Sequence, residues 1–418
     1  MKIINKVAAA TLATAIAMSS IVSAETVTML HEENKPEQQA LWDTFAAEFS
    51  AANPGIQIEM QYMENEQFKA KLPTLLQSDS RPNIFYSWGG GNFAARAENG
   101  VLDDITGKSA DLKKILSPGA LSSFSYDGKI YGVPYTLAQV GFWYNKALFA
   151  KAGVDGDKVK TWSDFLGAVK KLKAAGITPI TLGAADKWPV HFYWTYLAMR
   201  TGGMETFNAA LAGDMDWNNP DYVRAGELFA ELVALDPFQP GYAAATYGDA
   251  SGRFGDQVAA MHLMGDWEMT VQKDNSANKQ GVPLDQLGFM SFPSVKGGKG
   301  NGTDTLGGVN GFAFAKDGGT DAAVKWMAYF LDAPQQKRLA EAGVIIPVAK
   351  GAEDGVKDVF RKRIASNIAA ASWHQVFWDQ ALGSDVGGTI NDFSALLATG
   401  DTTPEEAVEM LQEAWDLR

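Results

Sequence analysis

Cysteine is missing altogether from the 418 residues. That excludes disulfide staples and thiolate metal sites, and leaves no cysteine to carry a lipid. A basic excess is missing too. Lys and Arg number 36 against 49 Asp and Glu, a net charge of −13, and so acidic a surface argues against a nucleic-acid partner, which needs a basic footprint. After the opening residues no apolar run is long enough to cross a bilayer. Several catalytic signatures are absent as well. There is no Gly-x-Ser-x-Gly, no His-Glu-x-x-His and no calcium loop, and no Gly-Lys-Ser/Thr directly follows the glycine run 89–91 to make a phosphate cradle.

What the chain does have begins with an export signal. Lys2 and Lys6 supply the positive start, Val7 to Met18 the apolar middle, and Val22–Ser23–Ala24 a small-residue cleavage site before Glu25. Residues 1–24 are therefore expected to be removed, leaving a product free in the periplasm with no membrane anchor. The remaining length exceeds one ordinary core and suits two lobes. Twelve Trp, twelve Tyr and 22 Phe are many, and not all need be core.

The first part alternates strands and helices. Thr26–Leu30 reads as a strand running into the polar loop His31–Glu32–Glu33–Asn34. Pro36 opens a helix with Leu41, Phe45 and Phe49 on one face, and Ile56–Met60 alternates as the next strand. A helix with Phe68, Leu72 and Leu75–Leu76 inward then leads to the strand Ile84–Tyr86 and the loop Ser87–Trp88–Gly89–Gly90–Gly91. That order predicts a parallel sheet covered by helices, with ligand loops beyond the strand ends. Further on, Thr161 and Asp164 form a capping pair, and Ile177–Leu182 and Ala259–Met264 read as strands. Their loops are Gly183–Pro189, carrying Asp186, Lys187 and Trp188, and Gly265–Asp266–Trp267.

The stretch 132–153 organises the rest. Gly132 and Pro134 read as a turn, Val140–Tyr144 as a strand, and Ala147–Ala150 as a helix stopped at Gly153. Gly297–Asn310 reads as a second glycine-rich connection before the strand Gly311–Ala315, and Val344–Pro347 as a third. Thr403, Pro404 and Glu406 cap a closing helix that buries Val408, Leu411 and Trp415.

Four stretches, WYNKALFAKAG (143–153), AAMHLMGDWEM (259–269), TLGGVNGFAFA (305–315) and FLDAPQQKRLAEAGVIIPV (330–348), closely resemble the extracellular sugar-binding proteins of bacterial ABC importers, in the branch related to maltose-binding protein. The resemblance spans the mature chain. It implies an α/β, two-lobed periplasmic binding protein fold, each lobe a mostly parallel sheet flanked by helices, with three hinge crossings. The expected division is 25–136 and 305–347 in the N-terminal lobe, 137–304 and 348–418 in the C-terminal lobe. One departure is Pro82–Asn83, where most relatives carry Pro-Asp, which puts that loop's hydrogen bonding in question.

A sugar presents hydroxyls along its edge and weakly polar faces, so it needs planar polar groups and aromatic rings. The resemblance places Trp267 against the sugar face, with Trp88 and Trp188 following the same logic. Polar candidates are His31 and Glu33 in the first loop, Gln67 on the second helix, Gln139 at the first crossing and Asp186. Gly89, Gly308 and Asn310 offer backbone and amide groups, and Trp373–His374 matches another aromatic position. The acidic loops favour a neutral mono- or oligosaccharide or glycoside over an anionic sugar derivative. A membrane permease is the implied partner, no cofactor is implied, and the protein is expected to be a monomer. The rival reading is a secreted glycoside-acting enzyme, which would need two carboxylates flanking the scissile bond.

Overall fold

The computed structural model describes residues 24–33 and 35–418. The expected leader, up to residue 23, and Asn34 of the first loop lie outside the described residues.

Thirteen strands form two main sheets and a hairpin among those residues. In chain order they are β1 (Glu25–His31), β2 (Ile56–Tyr62), β3 (Ile84–Ser87), β4 (Ser125–Tyr126), β5 (Lys129–Ile130), β6 (Gly132–Gln139), β7 (Gly141–Asn145), β8 (Thr178–Ile180), β9 (Ala259–Met264), β10 (Leu287–Met290), β11 (Thr305–Phe314), β12 (Ile346–Pro347) and β13 (His374–Val376). The larger sheet has the order β12-β6-β11-β3-β1-β2, with β13 on β11, and the smaller β10-β7-β9-β8.

Each sheet has its own core. Helix Pro36–Ala52 sets Trp42, Phe45 and Phe49 against the larger sheet. Trp42 takes the inward place expected for Leu41, which is only partly buried. Helix Trp188–Thr201 supports the smaller sheet and is buried along its whole length. The capping boxes Thr161/Asp164 and Thr403/Glu406 are both formed.

The fold is the expected two-lobed one, but its sheets are mixed where mostly parallel sheets were implied. β1 runs parallel to β2 and β3, as helix-linked crossovers require. β11, which re-enters from the other lobe, runs antiparallel to β3 and β6, and β12 runs antiparallel to β6. In the smaller sheet only β8 and β9 are parallel.

The connections also differ from the sequence reading. Gly132 and Pro134 lie inside β6 and not in a turn. Pro134 has no N–H to donate, and the ladder with β11 shifts register beside its partner, at Asn310/Gly311. Residues 305–310 of the glycine-rich connection belong to β11, where a Cβ on Gly307 would lie 1.8 Å from the carbonyl oxygen of Ala138. Only glycine lets the two strands pair so closely. At the loop that departs from Pro-Asp, Asn83 Oδ1 accepts from the amide of Thr28 at 2.9 Å and from its hydroxyl at 3.0 Å. An amide oxygen does there what a carboxylate would.

The chain leaves the larger sheet at Val140, between β6 and β7, and returns to it through 291–304 into β11. After β12 it reaches helix Val359–Ala370, whose Phe360 and Ile364 belong to the smaller sheet's core. The first two passages run side by side. The Val140 amide donates to the Leu306 carbonyl at 2.8 Å. The Tyr196 hydroxyl donates to the Val140 carbonyl at 2.6 Å and accepts from the Leu306 amide at 3.0 Å.

Candidate functional site

The strand ends of both sheets face one cleft. β9 leads into Gly265–Asp266–Trp267, and the Trp267 ring folds over Gly265, where a Cβ would stand 2.1 Å from it. The ring stays partly exposed and meets Phe377 edge to face, at 6.1 Å and 71°. Phe377 in turn lies on Gly308, where a Cβ would stand 2.9 Å from its ring. Beside it Asn310 is buried, and its side-chain oxygen has no partner among the described residues. Gly308 and Asn310 are thus brought to Trp267 by the bare surface of β11.

On the larger lobe, Trp88 stands partly buried with its edge to Tyr86 (5.1 Å) and Phe68 (5.6 Å), and it packs against both cores. Gly89 and Gly90 adopt φ of +66° and +75°, which side-chain-bearing residues rarely tolerate. They turn the chain into helix Gly90–Glu98, where Asn92 Nδ2 donates to Gln380 Oε1 of the other lobe at 3.0 Å. Trp188 packs edge to face on Tyr247 at 4.9 Å. Its indole N–H crosses to Glu66 Oε1 at 3.1 Å. Asp186 accepts from the amide of Tyr247 at 2.7 Å, and burial raises its pKa.

Charge in the cleft is held mostly in carboxyl groups. Burial pushes Glu32 up to about 8, reinforced by Glu33 and opposed by Lys69 and Lys35. Glu33 binds the amide of Lys35 at 2.9 Å and lies 3.9 Å from its ammonium. Asp266 is pushed up to about 6 by burial, against the pull of Arg361, whose Nε is 3.7 Å away. Lys187 points elsewhere, paired with Asp392.

Other sequence candidates stand apart from this cluster. His31 is packed among Trp42, Tyr86, Tyr135 and Phe312, and burial lowers it to about 3, so it is a neutral ring in the core. Gln139 is fully buried at the crossing and accepts from Asn367 at 3.1 Å. Gln67 is exposed, while its neighbour Glu66, about 100° round the helix, meets the other lobe. Trp373 packs on Phe207 at 5.4 Å and donates its N–H to Gln375. His374 binds the hydroxyl of Thr305 at 2.8 Å and is lowered by burial to about 4. The sequence reading passed over Phe377, Glu66, Lys69 and Tyr247. Phe377 lay three residues beyond the His374 it did single out, and the others carried no mark of their own.

Among the described residues no group of three or more His, Asp or Glu could hold a metal ion, and no helix is long and apolar enough to cross a membrane. The fold has close counterparts among solved structures. A structure from work on xylan utilisation by Caldanaerobius polysaccharolyticus is 25% identical with a TM-score of 0.85, over 93% of this chain and 99% of that one. A chitin oligosaccharide binding protein is 26% identical with a TM-score of 0.84, over 94% and 98%. An uncharacterised ABC transporter extracellular-binding protein of Pyrococcus horikoshii is 25% identical over 386 residues, 90% of this chain and 84% of that protein. Residues 33–337 match the family model described as bacterial extracellular solute-binding protein, and the chain belongs to that family.

Proposed function

We propose that this solute-binding protein captures a neutral carbohydrate between its lobes and hands it to the permease of an ABC importer. It would act as a periplasmic monomer released by cleavage after Ala24, without cleaving the sugar. The lobe division read from the sequence belongs to the same proposal, with the boundary at 304/305 kept, the one at 136/137 moved to Val140, just past the end of β6, and the one at 347/348 moved beyond Val356, which still packs in the larger sheet's core.

The observation that carries it is the Trp267–Phe377 pair beside Gly308 and the unpartnered oxygen of Asn310. A partly exposed tryptophan ring near a planar amide suits the face and edge of a pyranose. The similar folds of a chitin oligosaccharide binding protein and of a structure from work on xylan utilisation point the same way. Neutrality follows from the cations. Lys35 faces Glu33, Lys69 faces Glu66 at 3.1 Å, and Arg361 faces Asp358 at 3.2 Å as well as Asp266. An anionic sugar would have to displace a carboxylate from one of them in a site of low dielectric.

Thermal-shift screening with mono- and oligosaccharides, followed by calorimetry on the best ligand and an anionic analogue, tests this. Binding of the neutral sugar with a tenfold or weaker response to the anion is expected. Preference for the anion, cleavage of the ligand, or no response to any sugar would overturn the reading.

A further inference from the structure

The two lobes touch each other directly at Glu66, Lys69 and Trp188. Glu66 Oε1 collects three donors: Asn65 at 2.6 Å, Lys69 at 3.1 Å and the indole N–H of Trp188 from the opposite lobe. The Lys69 ammonium lies 5.7 Å from the centre of the Trp88 ring and 5.1 Å from that of Trp188. One cation thus sits against two tryptophans from different lobes, with its carboxylate counter-ion bound to one of them. Cation–ring attraction of this kind strengthens as water is excluded. A second contact lies along the same edge. Asn92 bonds to Gln380, and Gly91 is so close to the neighbouring backbone that a Cβ would fall 2.5 Å from the carbonyl oxygen of Ala381.

We propose that Glu66, Lys69 and Trp188 form a latch that closes the cleft along this edge and selects a mono- or disaccharide over a chain long enough to protrude there. The restriction rests on the carbohydrate reading; the latch does not. A longer chain that left the cleft where Glu66 and Trp188 touch would have to part them. Binding it would break the indole–carboxylate bond and pull Lys69 from one ring. Trp88 and Trp188 then act chiefly in closure, and Trp267 with Phe377 forms the sugar platform.

Calorimetry with xylose to xylotetraose, glucose to maltotetraose and N-acetylglucosamine to chitotetraose tests the restriction. In whichever series binds, the wild type should prefer the one- or two-unit member by tenfold or more over the tetrasaccharide. The double variant Glu66→Leu/Lys69→Ala should lose that preference. Glu66→Gln, which keeps an oxygen for the indole N–H, should retain it. Affinity that climbs to the tetrasaccharide in the wild type, or a length profile the double variant leaves unchanged, would overturn the proposal. If neither these series nor the wider sugar screen shows binding, the carbohydrate reading fails and the length restriction with it. The latch is then judged by small-angle scattering without sugar, where the double variant must show a larger radius than the wild type and an equal radius sinks it. Both residues are part-exposed, with side chains 43% and 30% accessible, so the sugar-free melting temperature serves as the folding control.

Discussion

Tyr196 donates its hydroxyl hydrogen to the carbonyl of Val140, 56 residues earlier, at 2.6 Å. The same oxygen takes the amide of Leu306, so one side chain ties both passages between the lobes. All three groups are buried. Tyr196→Phe strands a buried amide and a buried carbonyl, which should cost about 1–3 kcal/mol of stability. Urea unfolding of the sugar-free protein measures it, and a change under ~0.5 kcal/mol would mean that water or a shifted strand replaces the hydroxyl.

Trp267 and Phe377 should behave differently when truncated. Trp267 is partly exposed, so Trp267→Ala should weaken ligand binding by about 2–4 kcal/mol, the range of an aromatic anchor, with a small fall in sugar-free melting temperature. Phe377 is 5% exposed and packs on Phe192 at 5.6 Å. Phe377→Ala should lower both affinity and stability, the latter by about 3–5 kcal/mol for a buried phenylalanine. Unfolding of sugar-free Trp267→Ala would place that ring in the core and the site elsewhere.

Closure should respond to pH through Glu32. Its carboxyl ordinarily titrates at 4.5 and is pushed up to about 8 in the closed cleft, chiefly by burial. A group that holds its proton more tightly when closed favours closure in acid, and that advantage is lost as pH rises from 4.5 to about 8. His31 and His374, lowered to about 3 and about 4, stay neutral from pH 6 upward and do not offset it. The scattering radius without sugar should therefore grow from pH 6 to pH 8.5. Glu32→Gln should flatten the dependence, and an unchanged slope in that variant would clear Glu32 of the effect.

The Pro82–Asn83 loop offers a test away from the cleft. Asn83→Ala removes the oxygen that holds Thr28 and should cost about 1–3 kcal/mol. Asn83→Asp keeps an acceptor and should leave the melting temperature within a few degrees. Equal loss in both variants would show that the amide nitrogen matters too.

The two-lobed architecture was legible because strand-and-helix periodicity and four family stretches are local properties of sequence. The place of Trp267 just beyond a strand end was legible for the same reason, since Gly265–Asp266 beside it marked that end. Other residues hid for identifiable causes. His31 carried a polar label but is enclosed by four aromatic side chains drawn from distant segments. Glu66 and Gln67 differ only by one helical step, and sequence alone does not say which of them meets the other lobe. Gly307 looked like loop material because the closeness of Ala138 is a tertiary fact. Phe377 resembled any core phenylalanine until Gly308 was seen beneath it.

Helix Trp188–Thr201 starts with the residue that bonds to Glu66 and, eight positions on, carries the one that clasps Val140 to Leu306. At 1.5 Å per residue those two points lie about 12 Å apart on one rod. Near its far end Arg200 grips the incoming segment through the carbonyls of Phe292, Pro293 and Asp304. Buried along its whole length, the rod has little room to bend, so pivot and rim move as parts of one lever. A substitution that tilts it by a few degrees would shift the resting gap at the rim without touching a single group that meets the solute.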